Sequence, residues 1–346
     1  MTHSLHFKPY QQFVQEGRKF WKSDLYADVM REAEGKSPGE LTGTQALAAY
    51  SWFEKNLQQA KYYGPHGLVE TFRRNGGLEQ DRDFDLEPGE MQAWNDTLPG
   101  YYRDTGFHQH NPGVWPSLGD ALAYEYATNY FSFSLIAADV PYKRVAEIVA
   151  DLASELEAPR VMDLGAGYGK LAFAIKRAVP QAVVEGVDLS MPLIKLGQKR
   201  TGEMNLDVNL FCHQAEQIDQ LGRSFDVITA YWLLHELPQE VTREVVAASY
   251  RALAPGGYFV SLDMHRATGG ELGEFLQKRH GVANDEPFLE DLLTWDYEKD
   301  MAAIGYEDIR LIDPVTRSDF DVDKPLPAER THEFSVLIGR KPETAK

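Results

Sequence analysis

Apolar and aromatic residues in the first 140 positions recur at the spacing of an amphipathic helix. They fall three or four positions apart in residues 10–34 and again in residues 44–63, which predicts two helices with one buried face each. A stretch rich in Gly, Pro and Asp, residues 75–116, interrupts the pattern. Residues 120–138 resume it with an unusually aromatic helix. The first part of the chain is therefore predicted to be mainly helical.

From Arg160 onward the pattern changes to short β-branched runs that alternate with helical segments. This alternation is typical of an α/β fold, in which helices cover a mostly parallel sheet on both faces. Seven strands are predicted at residues 160–164, 183–187, 208–212, 225–230, 258–263, 308–312 and 333–340, with helices at 170–178, 192–200, 239–253 and 288–304. The last strand follows a long loop rather than a helix, which favours an antiparallel final hairpin. We expect a helical region over residues 1–140 and an α/β domain over residues 141–346.

The charge and the composition of the chain exclude some classes of binding partner. The 346 residues include 53 acids against 35 Lys and Arg, a formal net charge of -18. Such a surface repels phosphate backbones and anionic lipids, so neither nucleic acid nor a membrane is an expected partner. The N-terminal residues lack the pattern of a signal peptide, which predicts a cytoplasmic protein. The single cysteine, Cys212, excludes a disulfide within the chain and a thiolate metal cluster.

Three glycines and two acids mark a candidate ligand site. The first predicted strand ends in VMDLGAGYG, where the glycines at 165, 167 and 169 allow a sharp turn and a close approach to a ligand. Their spacing differs from the G-x-G-x-x-G of dinucleotide-binding loops. Asp163 stands two residues before the first glycine, where a carboxylate suits an ammonium group better than a pyrophosphate. Asp188 ends the second strand, where a carboxylate can accept both hydroxyls of a ribose.

Together with the segments that follow them, these residues resemble the class I S-adenosylmethionine (SAM)-dependent methyltransferases. The resemblance covers residues 158–340. VMDLGAGYG and VEGVDLS are similar to the first and second motifs of that family, and HQAEQI, FDVITAYWLLHELP and LAPGGYFVSLD to the third, fourth and post-fourth segments, in the same order. The resemblance implies a Rossmann-like domain whose cofactor is SAM.

Carried over position by position, the resemblance implies a set of residues around SAM. Gly165, Ala166 and Gly167 would face its methionine part, Asp163 its amino group directly or through water, Asp188 its ribose, Leu189, Gln214 and Ala215 its adenine, and Ala230 or Tyr231 the region of the sulfonium. The family often has Asp where Gln214 stands, but an amide oxygen can also accept from the adenine amino group. Leu189 and Ala215 could instead be plain core, as could Leu233, and Asp188 by itself could cap the helix that follows it.

The segment before the first motif supplies two further candidates. Related bacterial methyltransferases fold this segment over SAM, and a tyrosine there often reaches the methionyl carboxylate, which implicates Tyr124 and Tyr130. Aromatics spaced along a helix are also typical of a core. The same segment contains His108 and His110. A His-x-His pair without further ligands nearby is weak evidence for a metal, so we predict none.

The chemistry of SAM demands an aligned nucleophile and, for hydroxyl acceptors, a base. His235 and His265 are the candidate bases, because both follow strands whose ends meet at the ligand-binding edge of the sheet. Tyr231 is a third candidate, next to the predicted sulfonium. A helix cap or a surface imidazole is the competing interpretation of either histidine.

The function expected from these features is methyl transfer from SAM to an oxygen or sulfur atom of a small molecule. The helical first part would shape the acceptor site and could mediate a homodimer. Three alternatives remain open from the sequence: a nicotinamide-dependent oxidoreductase, a non-catalytic SAM-binding or dimerisation protein, and aminopropyl transfer from decarboxylated SAM on the same fold.

Overall fold

The computed structural model of the chain describes residues 7–74, 88–109, 115–130, 137–326 and 334–343. His110 and residues 131–136, the latter within the predicted aromatic helix, lie outside these ranges.

Nine α-helices precede the sheet in the described part of the chain. They are α1 (Phe7–Phe20), α2 (Tyr26–Ala33), α3 (Pro38–Leu41), α4 (Gln45–Tyr62), α5 (Leu68–Arg74), α6 (Pro88–Asn95), α7 (Gly100–Arg103), α8 (Leu118–Tyr130) and α9 (Val140–Leu152). The first two predicted helices thus correspond to α1 with α2 and to α4. Thr44 caps α4 by accepting a hydrogen bond from the backbone of Leu47. Between α1 and α2 the chain widens into a π-helical turn, Trp21–Leu25.

The remaining chain forms a seven-stranded sheet with helices between most of its strands. In order along the chain these are β1 (Arg160–Leu164), α10 (Lys170–Ala178), β2 (Val183–Asp188), α11 (Met191–Met204), β3 (Val208–Cys212), β4 (Phe225–Tyr231), α12 (Gln239–Ala252), β5 (Leu253–Asp263), α13 (Gly270–Asn284), α14 (Leu289–Leu293), α15 (Tyr297–Ile304), β6 (Glu307–Ile312) and β7 (Ser335–Arg340). The strand order is β3-β2-β1-β4-β5-β7-β6, and only β7 runs antiparallel to its neighbours. The predicted fold class and the antiparallel final hairpin are confirmed.

This order places a crevice at the carboxyl ends of β1 and β4. The chain moves outward from β1 through β2 to β3 and then returns to β4 on the other side of β1. Ligands of open α/β sheets bind where the strand order reverses in this way. The glycine-rich turn after β1 lies at this point.

Two helices of the second half differ from the predictions. The predicted helix over 288–304 is two shorter helices, α14 and α15, separated by a turn that buries Trp295. Helix α13 was not predicted, because its sequence contains three glycines and shows only weak apolar periodicity. Its Leu276 packs into the hydrophobic cluster formed by the π-helical turn, α2, α3 and α4. Tertiary packing therefore stabilises a helix that local propensity does not favour.

The same contact joins α13 to the N-terminal helices. Leu276 of α13 meets Trp21, Leu41, Leu47 and Tyr50 in one buried cluster, while two larger clusters fill the two faces of the sheet. The crevice is consequently bordered on one side by the sheet and on the other by N-terminal helices. Among the helices described, none is long and apolar enough to span a bilayer.

Candidate active site

The turn between β1 and α10 has a backbone that favours glycine. Gly165 and Gly167 have φ values of +64° and +56°, a region in which a side chain is strained. A Cβ at Gly165 would lie 2.8 Å from Leu233 Cδ1, and one at Gly167 would lie 3.2 Å from the Tyr124 ring. The amide of Ala166 donates to the carbonyl of Val187 at 2.8 Å, which fixes the turn against β2. The turn therefore presents bare backbone to the crevice.

Asp188 ends β2 beside this turn. Its Oδ2 accepts from the backbone of Gly167 at 2.8 Å, and its Oδ1 accepts from the backbone of Ser190 at 2.7 Å. Burial raises the pKa of Asp188 to about 6. Each carboxylate oxygen has two lone pairs, so both can still accept from a diol in the crevice.

Asp163 lies behind the turn with its side chain almost fully buried. Its Oδ1 accepts from the Thr229 hydroxyl at 2.8 Å, whereas Oδ2 has no hydrogen-bond partner among the described residues. Burial raises the pKa of Asp163 to about 7. A buried acceptor without a partner is costly, and an ammonium group, directly or through a water molecule, would satisfy it.

A single cavity of about 300 Å³ extends from the glycine turn into the N-terminal helices. Six of the predicted cofactor residues line it: Gly165, Gly167, Asp188, Leu189, Ala215 and Tyr124. The other predicted cofactor residues, Asp163, Ala166, Gln214, Ala230 and Tyr130, lie outside its lining. Tyr130 is 63% exposed and packs on Tyr126, with ring centroids 4.6 Å apart.

At the predicted adenine end, the structure puts Glu216 rather than Gln214 on the cavity wall. The Oε1 of Gln214 accepts from Gln217 at 2.8 Å. Glu216 accepts from the Tyr101 hydroxyl at 2.8 Å through Oε1, and its buried Oε2 has no partner in the described chain. Glu216 offers the acceptor that the sequence assigned to Gln214. Glu216 could have been found from the sequence, because it belongs to the same HQAEQI segment as Gln214.

The N-terminal helices close over this end of the cavity. Trp94 Nε1 donates to the carbonyl of Leu189 at 2.8 Å, and the Ser190 hydroxyl donates to the carbonyl of Trp115 at 3.0 Å. The rings of Trp115 and Tyr124 lie 4.8 Å apart. Aromatic rings are thus held against the residues predicted to surround the ribose and adenine.

Three candidate catalytic residues have different surroundings, and only His235 lines the cavity. His265 is fully buried between Ser261 and Ser335, with ring nitrogens 3.1 and 3.2 Å from their hydroxyls, and burial lowers its pKa to about 4. Tyr231 stacks on Tyr142 with ring centroids 4.3 Å apart. Burial raises the pKa of the Tyr231 phenol far above its ordinary value.

His235 belongs to a cluster of histidines and carboxylates in a short turn after β4. Its Nδ1 lies 2.9 Å from Asp263 Oδ1, and its Nε2 lies 3.5 Å from Glu236 Oε1. The same Glu236 oxygen lies 2.6 Å from Nε2 of His108. Asp263 Oδ2 also accepts from the backbone of Leu234, which fixes the turn. We call His108, His235 and Glu236 the triad.

Electrostatics within the triad favour charged forms. Burial lowers the pKa of both histidines, but the neighbouring carboxylates outweigh it, so that the pKa of His108 is about 9 and that of His235 is well above its usual value. Burial raises the pKa of Glu236, but the charge of His108 outweighs this effect and holds it well below the usual range. The triad is therefore a compact polar site in the wall of the cavity.

The sequence identified only part of the triad. His108 was noted for its aromatic segment and His235 as a candidate base, but their proximity depends on the docking of residues 107–109. The backbone amide of His108 donates to the carbonyl of Asp285 at 2.9 Å, and Gln109 Nε2 donates to the carbonyl of Ala283. No local pattern in the sequence indicates these contacts.

The comparisons with known proteins find methyltransferases. The family model described as a methyltransferase domain matches residues 161–257. A demethylmenaquinone methyltransferase of Thermus thermophilus is 28% identical over 177 residues, covering 51% of this chain and 76% of that protein. A ubiquinone biosynthesis O-methyltransferase of Coxiella burnetii is 30% identical over 30% of this chain and 42% of its own length. The solved phosphoethanolamine N-methyltransferase 2 of Haemonchus contortus with bound SAM has a TM-score of 0.48 and 16% identity, covering 71% of this chain and 61% of that one.

The fold, the glycine turn with its two acids and the family match define a SAM-dependent methyltransferase. Residues 161–257 belong to the methyltransferase-domain family, the sheet has the class I, Rossmann-like arrangement of strands, and the cofactor is SAM. The family match favours this class over the oxidoreductase and the non-catalytic binding protein. The chain spans three quarters of the first relative's length and less than half of the second's.

Proposed function

We propose that this enzyme transfers the methyl group of SAM to an oxygen atom of a small, hydroxylated aromatic acceptor. One observation carries the proposal: a single cavity joins the glycine turn and Asp188 to His108, His235 and Glu236. A polar cluster beside the cofactor can act on an acceptor hydroxyl. A thiolate acceptor would not need such assistance, because it is already a strong nucleophile.

The walls of the cavity support a flat, ring-shaped acceptor. Aromatic side chains line it beyond the cofactor residues: Trp21, Tyr62, Phe107, Trp232 and Phe334. Such rings bury a planar ligand well and give it a defined orientation. The names of the two relatives above refer to menaquinone and ubiquinone, which also supports a ring-containing acceptor.

Basic side chains in the wall of the same cavity support an acceptor that carries a negatively charged group. Arg18, Lys22 and Lys61 line the cavity from the N-terminal helices. Burial, together with the nearby charge of Arg18, lowers the pKa of Lys61 well below its usual value. An anion bound there would offset the repulsion between these cations.

The proposed mechanism divides the work between two groups of residues. SAM supplies a methyl group on a sulfonium, a good leaving group. The glycine turn, Asp163 and Asp188 would hold and orient it, while the aromatic walls exclude water. The positively charged histidines of the triad would stabilise the ionised oxygen of the acceptor, whose proton passes to water, so that this oxygen attacks the methyl carbon in line with the departing sulfur.

Titration calorimetry with SAM and S-adenosylhomocysteine tests the cofactor part. We expect Asp188→Ala to weaken binding of both by about 10- to 100-fold, because hydrogen bonds to a carboxylate contribute about 1.5–3 kcal/mol. Asp207→Ala, an exposed acid just before β3, is the matched control and should bind as the wild type does. Equal binding by Asp188→Ala and wild type would refute the assigned site.

Radiolabelled SAM tests the acceptor part. The wild type is incubated with phenols that carry or lack a carboxylate, and with aliphatic thiols of similar size. We expect label in the phenols and a lower KM for those with the carboxylate. Labelling of thiols alone would overturn the oxygen acceptor, and SAM binding without transfer to any compound of the panel would overturn the proposed acceptor class.

Residues 1–140 are proposed to act as the lid and acceptor-binding region of the SAM-binding domain at 141–346. The cytoplasmic location and the homodimer stay predictions from the sequence. Size-exclusion chromatography with light scattering checks the homodimer.

A further inference from the structure

The three residues of the triad place their ligand atoms as a metal ion would require. One nitrogen of His108, one of His235 and a carboxylate oxygen of Glu236 all lie within 4.8 Å of one another. Glu236 Oε1 is 2.6 Å from His108 Nε2 and 3.5 Å from His235 Nε2. Ligands at bond lengths of about 2.0–2.2 Å around one ion stand about 3 Å apart, so small adjustments would suffice.

Each histidine also has a carboxylate beside the ring nitrogen that points away from the triad, hydrogen-bonded to His235 and within ion-pair distance of His108. The nitrogen of His235 that points away from the triad lies 2.9 Å from Asp263 Oδ1. The corresponding nitrogen of His108 lies 3.4 Å from Glu286 Oε1. A carboxylate hydrogen-bonded to the far nitrogen fixes the ring and its tautomer, as Asp263 does for His235, and the near nitrogen can bind a metal once it has lost its proton. This double arrangement is more specific than the triad alone.

Buried polar atoms around the triad are left incompletely satisfied. Within the described chain, His108 Nδ1 and Glu286 Oε2 are buried and lack a hydrogen bond of good geometry. Three carboxylates, Glu236, Asp263 and Glu286, surround the two histidines, and His280, paired with Glu54, approaches Glu286 only to 3.8 Å. A divalent cation would neutralise part of this negative charge.

We propose that His108, His235 and Glu236 bind one divalent transition-metal ion, such as Zn²⁺, Mn²⁺, Fe²⁺ or Co²⁺. Two imidazoles and one carboxylate suit these ions better than Mg²⁺ or Ca²⁺, which prefer oxygen ligands alone. All three residues line the cavity, so a coordination position faces the proposed acceptor. The sequence predicted no metal because His108 and His110 had no further ligands nearby, and the fold supplies them from the turn after β4.

The metal would give the triad its part in catalysis, a consequence that rests on the proposed oxygen acceptor. An acceptor hydroxyl bound to the ion ionises near neutral pH and releases its proton to water. The oxygen then forms a bond to the methyl carbon while the carbon–sulfur bond breaks. The electron pair of that bond stays on sulfur, which leaves neutral S-adenosylhomocysteine.

Metal binding is tested on the full chain without an affinity tag, after dialysis against EDTA. Calorimetry with Zn²⁺ and visible absorption with Co²⁺ should each report one ion per chain. Glu236→Gln and His108→Ala should weaken binding at least 100-fold, and Glu286→Gln about 10-fold through loss of the outer partner. His66→Gln, an exposed histidine away from the cavity, is the matched control and should keep full affinity.

Two measurements keep this inference separate from the proposed function. SAM binding and the thermal midpoint of each variant show whether the fold is intact. Absence of stoichiometric Zn²⁺ and Co²⁺ binding in an intact wild type would overturn the metal site, even if phenols are methylated after EDTA. Stoichiometric binding lost in the folded Glu236→Gln variant would support the site, even if the acceptor class proves wrong.

Discussion

At the scale of single residues, Asp163 shows how burial changes the chemistry of a carboxyl group. The side chain shares one hydrogen bond with Thr229 and keeps its other oxygen buried. Burial raises its pKa from 3.8 to about 7. The folded protein therefore retains a proton on Asp163 over a pH range in which the unfolded chain has lost it.

The expected consequence is a stability that falls as pH rises. Below pH 4 Asp163 is protonated in both states, whereas between about pH 4 and pH 7 only the folded state binds the proton. Between pH 4 and pH 7 the unfolding free energy of the wild type should fall by on the order of 2–4 kcal/mol more than that of Asp163→Asn. The neutral amide of the variant resembles the protonated acid and does not titrate. Urea unfolding of both proteins without SAM, at intervals from pH 4 to pH 8, measures this difference. Parallel curves would contradict it.

At the scale of elements, the turn between β1 and α10 depends on backbone geometry that few residues adopt. Gly167 combines a φ of +56° with a Tyr124 ring 3.2 Å from the place of a Cβ. The turn is thus determined jointly by its own glycines and by helix α8, which supplies Tyr124. The glycines are visible in the sequence, but the tyrosine contact requires the fold.

Gly167→Ala should therefore weaken the cofactor site more than it weakens the fold. The left-handed conformation costs alanine about 1–2 kcal/mol, and the added methyl must displace Tyr124. We expect SAM to bind at least 10-fold more weakly by calorimetry, with about 1–2 kcal/mol lost in urea unfolding.

The matched control for this substitution is Gly202→Ala in α11. Gly202 is exposed, and a Cβ added to it would meet no atom within 4 Å. Alanine there should leave SAM binding unchanged and stabilise the helix by up to about 1 kcal/mol. Equal effects of the two alanines on SAM affinity would show that the turn does not need its glycine.

At the scale of the whole molecule, the N-terminal helices are bound to the α/β domain by a few specific contacts around the cavity. Arg200 of α11 forms a two-point ion pair with Glu125 of α8, at 2.6 and 2.8 Å. Both side chains are mostly buried, with exposures of 18% and 19%. Helix α8 carries Tyr124 and Thr128 into the cavity wall, so this pair supports the position of these two cavity residues.

Arg200→Ala should lower the unfolding free energy by about 1–3 kcal/mol, because it leaves a shielded carboxylate without its partner. SAM affinity should fall with it as α8 loosens. Arg144→Ala is the control, since its pair with Glu147 is far more exposed, and it should cost less than about 0.5 kcal/mol. Urea unfolding and SAM calorimetry of the two variants test whether the Arg200–Glu125 ion pair holds α8 against the α/β domain. Equal small effects of both substitutions would show that it does not.

The second half of the chain was predictable because its information is local. β1 and β3 have the predicted bounds, and α10 begins and ends where expected, since alternating apolar runs and turn residues specify such units within a few positions. The same holds for Gly165, Gly167 and Asp188, which adjoin strand ends and line the cavity. Helix α13 was missed because its stability comes from Leu276 in a distant cluster.

The sequence by itself determined the family, the cofactor and the parallel sheet, because these depend on short segments in a fixed order. Only the tertiary structure decided which side chains share the cavity. It put Glu216 at the wall rather than Gln214, turned His265 inward between two serines, and left Tyr130 outside. It also brought His108 to His235 and Glu236 across more than 120 positions of sequence. Local patterns fix elements, whereas contacts between distant residues follow from how those elements pack.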